Sequence, residues 1–533
     1  MTAAARSSDG ASPTPEEVVQ KRGDLPREPE SDPTLGRRLN PVPIWEGSPQ
    51  HRLVTIGDSL THGFQSGAIF NTDLSYPAIV AYEMGWSESF RYPSYNGRGG
   101  LPFNIELLLR ELKDRFGSNL DWWEVPLALF HSRHFLDEVE DYWERGPGRV
   151  APQLTSINHN LAVYGWDLRD VLDKTAKYCH QAIGVPHDDW LSQVVQDNGE
   201  RAALRVLPSA AEDQSLTLLD AAVKLGDERN SDPKNGIETL IVFLGANNAL
   251  QAVTQLKVVW SGAGYEDLHG KQGYTVWTPD HFRAELSKVA EKVRQIKARH
   301  VIWCTVPHVT IAPLARGVAI KNKLGSRYFP YYTRPWISDR DFNPRQDPHI
   351  TGQQAEDVDL AIDLYNSAIT DEVKIARSNG SDWYLMDTAG LMDRLASRRY
   401  LEDPLARPPG WERYPLPPQL KALSPEVNSR FLASNGKKRT DGGLFSLDGV
   451  HPTTVGYGII AQELITIMRR AGVEFRQANG TPRPDPVTVD FSRLIRRDTL
   501  INDPPGNLTS GLNVLEWADK TLDLLRRTLY FRM

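Results

Sequence analysis

The stretch Leu240-Ile241-Val242-Phe243-Leu244-Gly245 is a run of apolar residues closed by a glycine, and Val301-Ile302-Trp303-Cys304-Thr305-Val306-Pro307 repeats the pattern further along the chain. A strand with one face in water alternates apolar and polar residues. Nearly continuous apolar runs with β-branched residues instead mark strands covered on both faces. Shorter runs at 53–56, 161–163 and 383–386 complete a set of five, and each run ends near a small or loop-forming residue: Gly57, Gly165, Gly245, Pro307 and Thr388. Between or after them lie helical stripes. Phe282, Leu286, Val289, Val293 and Ile296 make one, opened by the start signal Thr278-Pro279. Ile362, Tyr365, Ile369 and Val373 make a second. Leu168, Val171, Leu172, Thr175 and Cys179 make a third. Strands alternating with helices predict a parallel sheet with helices on both faces, an α/β fold whose ligands bind beyond the carboxyl ends of the strands.

Outward from this frame the chain carries long connections. One holds a helix-like segment at 105–116 and the Trp-rich Asp121-Trp122-Trp123; others, at 321–347 and 404–440, are rich in proline. Loops of this length are uncommon unless they serve a function, and they are expected to decorate one mouth of the sheet. The polar stretch 1–45 is expected to be a disordered or loosely docked arm. The sheet domain with its insertions is expected over 46–472. After Gly472 a Pro/Asp-rich extension, 473–533, ends in a predicted helix near 512–529.

Composition bounds the function. A net charge of −7 leaves no basic excess to neutralise phosphates, so nucleic acid is not an expected partner. No run approaches the ~20 apolar residues of a membrane span. The N-terminal stretch lacks the apolar core of a secretory signal, which makes the cytoplasm the expected address. Cys179 and Cys304 lack metal or redox spacing and read as two buried thiols. No His/Asp/Glu cluster has metal-ligand spacing, and neither a metal nor a cofactor is expected.

Four motifs carry chemistry. Gly57-Asp58-Ser59-Leu60 follows the first strand and presents a hydroxyl at a strand end, while Asp58 orders the turn. Tyr164-Gly165-Trp166-Asp167 follows the second, where a glycine lets its backbone N–H approach a ligand. Gly245-Ala246-Asn247-Asn248 follows the third and offers a side-chain amide as a second donor to a developing oxyanion. Asp448-Gly449-Val450-His451-Pro452 precedes an apolar-periodic helix over 455–468. It pairs a general base with a carboxylate able to fold back and orient it. Each motif alone is ordinary turn or cap chemistry. Their order, Ser, Gly, Asn, then Asp and His, makes a set.

Motif by motif the chain resembles the GDSL/SGNH hydrolase family, over roughly residues 50–470. The resemblance implies a three-layer α/β/α, flavodoxin-like parallel sheet in the order 2-1-3-4-5. It implies ester hydrolysis with Ser59 as nucleophile, His451 as base and Asp448 as its orienting acid. The backbone N–H of Ser59, that of Gly165 and the side chain of Asn247 would form the oxyanion hole. Asn248 departs from the pattern, which usually has Asp there. Tyr95-Asn96-Gly97 could pass for the second motif, with Gly97 as the alternative donor. Gly165 is favoured because strand, glycine and helix follow in the required order. His62 is expected to pack or cap locally, and His308 to fill a loop rather than line the acyl pocket. The expected substrate is a small-molecule or lipid ester with a short to medium acyl chain. A non-catalytic glycan- or lipid-binding protein on the same fold, or an acyltransferase with the same triad, are the alternatives.

Overall fold

The computed structural model describes residues 13–40, 49–121, 123–186, 194–228, 236–321, 323–477, 479–506 and 508. The five apolar runs form strands β1 (His51–Gly57), β2 (Asn160–Ala162), β3 (Ile237–Phe243), β4 (Ala298–Cys304) and β5 (Trp383–Met386). They make one sheet in the order β2-β1-β3-β4-β5, every neighbouring pair parallel. The framing helices are α1 (Ser59–His62), α2 (Tyr76–Glu83), α3 (Ile105–Phe116), α4 (Val125–Glu144), α5 (Leu168–Asp173), α6 (Ala176–Ala182), α7 (Leu218–Asp227), α8 (Pro279–Gln295), α9 (Gly352–Ser378), α10 (Thr388–Leu395), α11 (Thr454–Arg470) and α12 (Phe491–Arg497).

Strand side chains alternate between two faces, and each face has its own core. Val54, Ile56, Leu240, Val242, Val301 and Trp303 pack with Leu168, Leu218, Phe282, Leu286 and Ile362, so α5, α7, α8 and α9 cover one side. Leu53, Ile241, Phe243, Ile302 and Met386 pack with Ile79, Leu391, Leu464 and Phe491, so α2, α10, α11 and α12 cover the other. That double cover is why β3 reads as a continuous apolar run: all seven of its residues are buried. Cys179 and Cys304 are both free and buried.

Three expectations need adjustment. The stripe from Leu168 to Cys179 is two helices, not one. Lys174 turns to pair with Asp170 (3.0 Å) and Glu200 (3.3 Å), and Thr175 accepts from the Tyr178 amide to start α6 afresh. The arm is held closely where it is described, over 13–40. Val18 is fully buried in the first core, Arg22 makes a two-pronged pair with Asp357, and the Leu385 amide of β5 donates to the Pro33 carbonyl. The extension joins the second core through Val487, Val489, Phe491 and Leu494 rather than standing apart. The helix expected near 512–529 and the first residues of the arm lie outside the described residues.

The insertions have structure of their own. Residues 316–351 contain a three-stranded antiparallel sheet of Arg316–Val318, Tyr331–Thr333 and Ile350–Thr351. The Trp-rich segment leads into α4, a helix of 20 residues. With α3 it builds a third core that also takes in Phe64, Tyr164, Leu314 and Leu447. Among the described residues no helix is long and apolar enough to cross a membrane.

Candidate active site

Gly57 stands in register with Ala162 of β2 on one side and Phe243 of β3 on the other. The three strands therefore end level. The order of the chain reverses about β1, whose successor β2 lies to one side and β3 to the other; this is where a parallel sheet opens a crevice. Ser59 leaves β1 two residues beyond this line as the first residue of α1. Asp58 caps that helix, its Oδ1 accepting from the Leu60 amide at 3.1 Å.

The serine hydroxyl lies 2.8 Å from Nε2 of His451, and Nδ1 of the same ring lies 3.0 Å from Oδ2 of Asp448. The three residues are 6%, 3% and 1% exposed, so the relay is nearly closed to solvent. Asp448 can only accept when ionised, which places a proton on Nδ1 and leaves Nε2 free to accept from the serine. Burial works against the charge on Asp448. It is overcome by His451 and by the His451 and Val450 amides, which donate to Oδ1 at 2.8 and 2.9 Å; the carboxyl is held below its ordinary range. Oδ2 also accepts from the Gly67 amide at 3.0 Å.

Gly67 belongs to a loop that sequence reasoning did not single out. Ser66 and Gly67 both adopt left-handed backbone, φ 49° and 83°. The Ser66 amide donates to the Ser446 hydroxyl at 2.9 Å, and the Leu447 amide donates to the Ser66 hydroxyl at 3.3 Å. The Phe64 ring packs on His451 with centroids 4.6 Å apart, and the Tyr457 hydroxyl donates to the Phe64 carbonyl at 2.7 Å. A Cβ on Gly67 would fall 2.6 Å from the Phe103 carbonyl, so both its φ and its surroundings call for glycine. Asp498, in the extension, accepts from the Val455 amide at the start of α11. None of these contacts has a local signature: those between the 64–67 loop and residues 446–457 span at least 380 residues, and the Asp498–Val455 contact spans 43.

Gly165 (φ 75°) and Asn247 follow β2 and β3 and border one small cavity of about 50 Å³ with Asp167, Lys174 and Lys271. Asn247 directs one side-chain N–H to the Trp166 carbonyl at 2.9 Å, which leaves the other N–H of its amide for a ligand. Ser59 and His451 border a second, apolar cavity of about 100 Å³ walled by Leu60, Val309, Leu391, Met392 and Phe445. Leu250 lines both cavities, so they adjoin. Gly97 lines neither; it packs against the Tyr142 ring in the insertion.

Two histidines differ from expectation. His62 does more than pack. The Tyr164 amide donates to its Nδ1 at 3.1 Å, so Nε2 carries the proton and donates to the Tyr95 hydroxyl at 2.8 Å, which in turn donates to the Ala202 carbonyl. Burial pushes its pKa down to about 3, and the ring stays neutral. His308 lines the apolar cavity rather than filling a loop. Burial opposes its charge, but Asp363 at 2.9 Å, Asp359 and Asp393 outweigh it and raise its pKa to about 10. Asn248, where the family pattern has Asp, is fully buried with both side-chain polar atoms unpartnered. Among the described residues no group of three or more His, Cys, Asp or Glu is arranged to hold a metal. No family model and no curated protein matches the chain.

Proposed function

We propose that the protein is a serine hydrolase of the GDSL/SGNH type that cleaves carboxylic esters through an acyl-enzyme. The observation that carries this reading is the unbroken relay from the Ser59 hydroxyl through His451 to a buried, ionised Asp448. In the proposed reaction Ser59 attacks the ester carbonyl as Nε2 of His451 takes its proton. Asp448 stabilises the imidazolium and fixes its tautomer, and His451 then returns the proton to the leaving alcohol. Water repeats the sequence to release the acid. The negative charge on the carbonyl oxygen falls to the Ser59 and Gly165 amides and the Asn247 side chain; one such donor is typically worth ~3 kcal/mol in the transition state.

The strand order of the sheet supports the flavodoxin-like, three-layer assignment that accompanies this family. The adjoining cavities support the division of the substrate. The apolar one beside Ser59 suits a short acyl chain, and the polar one beside Gly165 and Asn247 suits the carbonyl oxygen and alcohol side. A fluorophosphonate probe is expected to label the wild type at Ser59 and to leave Ser59→Ala unlabelled. The same variant is expected to lose at least about 10⁴-fold in turnover of a short-chain nitrophenyl ester. Equal labelling of the two proteins would refute the proposal.

A further inference from the structure

We propose that the cavity between segments 310–317 and 396–402 is a binding site for a small organic anion, whose phosphate or carboxylate oxygens are taken by Arg327 and Arg398. The cavity has a volume of about 390 Å³, within the range of small-molecule sites. Ile311, Phe329, Tyr332 and Phe431 give it apolar and aromatic walls, and five guanidiniums face it.

Three of those arginines already have counter-charges. Arg316 pairs with Asp339, and Arg399 with Asp359 at 2.9 Å. Arg430 takes both oxygens of Glu402, at 3.0 and 2.7 Å, and lies 3.6 Å from Asp441. Glu402 and Asp441 are the carboxylates of the lining, so both are engaged by Arg430. Arg398 donates to the Gly317 carbonyl at 2.8 Å and lies over the Phe329 ring at 4.5 Å. Arg327 lies over the Tyr328 ring at 5.3 Å. Among the described residues neither has a carboxylate within ion-pair distance. Both are partly buried. Burial foremost, and then the neighbouring Arg316 and Arg430, hold Arg398 below its ordinary pKa.

Burial opposes the charge of Arg327 too, but there Tyr328, Tyr400 and Asp359 outweigh it and its pKa is raised. Neither guanidinium is tied up in an ion pair, so an oxyanion in the cavity can take forked, charge-assisted hydrogen bonds from both and relieve the burial cost of Arg398. The aromatic walls favour an anion carrying a flat or apolar body over a bare ion. The site lies beside the 446–451 loop, which carries Asp448 and His451. Phe431 packs where a Cβ on Gly449 would fall, and the Leu314 amide donates to the Gly449 carbonyl at 2.9 Å.

Calorimetric titration of the full chain at constant ionic strength tests this, with phenyl phosphate, benzoate and inorganic phosphate as probes and phenol as the uncharged control. Phenyl phosphate or benzoate is expected to bind at one site, and whichever binds tighter tells phosphate from carboxylate. Inorganic phosphate is expected to bind more weakly, and phenol not at all. Arg327→Gln and Arg398→Gln are each expected to weaken binding at least about tenfold. Arg398→Lys, which keeps the charge and loses the fork, should fall between. Arg470→Gln, at an exposed arginine elsewhere, should bind as the wild type does. Absence of binding by all three anions, or equal affinity across the folded variants, overturns the proposal. Ser59→Ala is expected to bind phenyl phosphate unchanged, and Arg327→Gln to keep its fluorophosphonate labelling. The anion site and the hydrolase reading can therefore fail separately.

Discussion

Asp58 and Asp448 are both buried carboxylates beside one serine, yet their environments push them in opposite directions. Asp448 has His451 and a set of amides to hold its charge. Asp58 has the Leu60 amide on one oxygen and nothing on the other, and burial raises its pKa to about 7. Between its ordinary value and about 7 the unfolded chain has lost this proton while the folded chain keeps it. The contribution to stability is therefore largest below about pH 4, falls as pH rises through the window, and is constant above it; the span is up to about 4 kcal/mol. Asp58→Asn keeps the cap and cannot ionise. Its denaturation midpoint is expected to gain on the wild type between pH 5 and pH 8, and parallel curves would show that Asp58 does not titrate there. At this scale the site was largely legible. The serine motif and Asp-x-x-His-Pro are local patterns, and the structure brings their side chains within hydrogen-bond distance of one another. His62 was not legible, because its partners Tyr95 and Tyr164 come from separate segments and the ring alone shows no role.

The loops that hold the triad act as a pair. Ser446 joins the 446–451 loop, which carries Asp448 and His451, to the 63–67 loop by accepting the Ser66 amide, and Gly67 then reaches Asp448. Ser446→Ala removes that acceptor and leaves a buried amide unpaired, at about 1–3 kcal/mol. The expected result is a roughly tenfold or greater fall in kcat with KM little changed, restored by Ser446→Thr. A change confined to KM would place the clamp outside the chemistry. The regular elements were read from periodicity where one face dominates, as in α8 and α9. Apolar periodicity overruns a helix end where polar chemistry interrupts the stripe. Lys174 is buried among carboxylates and Thr175 caps, so an apolar period continues across a real break. The α4 stripe of Ala128, Phe135, Leu136, Val139 and Trp143 was present in the sequence but masked by its Trp-rich approach.

Across the molecule, segments that composition marked as peripheral are structural. The arm contributes Val18 to the core and places Arg22 and Arg27 against Asp357 and Asp387. Val18→Asp would bury an unpaired charge, which the arm avoids by lifting away. Trypsin is expected to cut early at Arg22 and Arg27 in that variant, with a lower Tm, and to spare both sites in the wild type; unchanged digestion would mean the arm is not anchored there. Composition failed here because a mostly polar segment needs only one well-buried apolar residue and two ion pairs to dock, and averages hide single residues. The third core has a wider consequence. Phe64 and Leu447, which lie in the 63–67 loop and in the loop that carries Asp448 and His451, share it with α3 and α4 of the insertion. Excising the insertion would uncover Phe64 and Leu447 and strip the backing from the turns that carry Ser59, Asp448 and His451. For this architecture the embellishment and the machinery are one inseparable part.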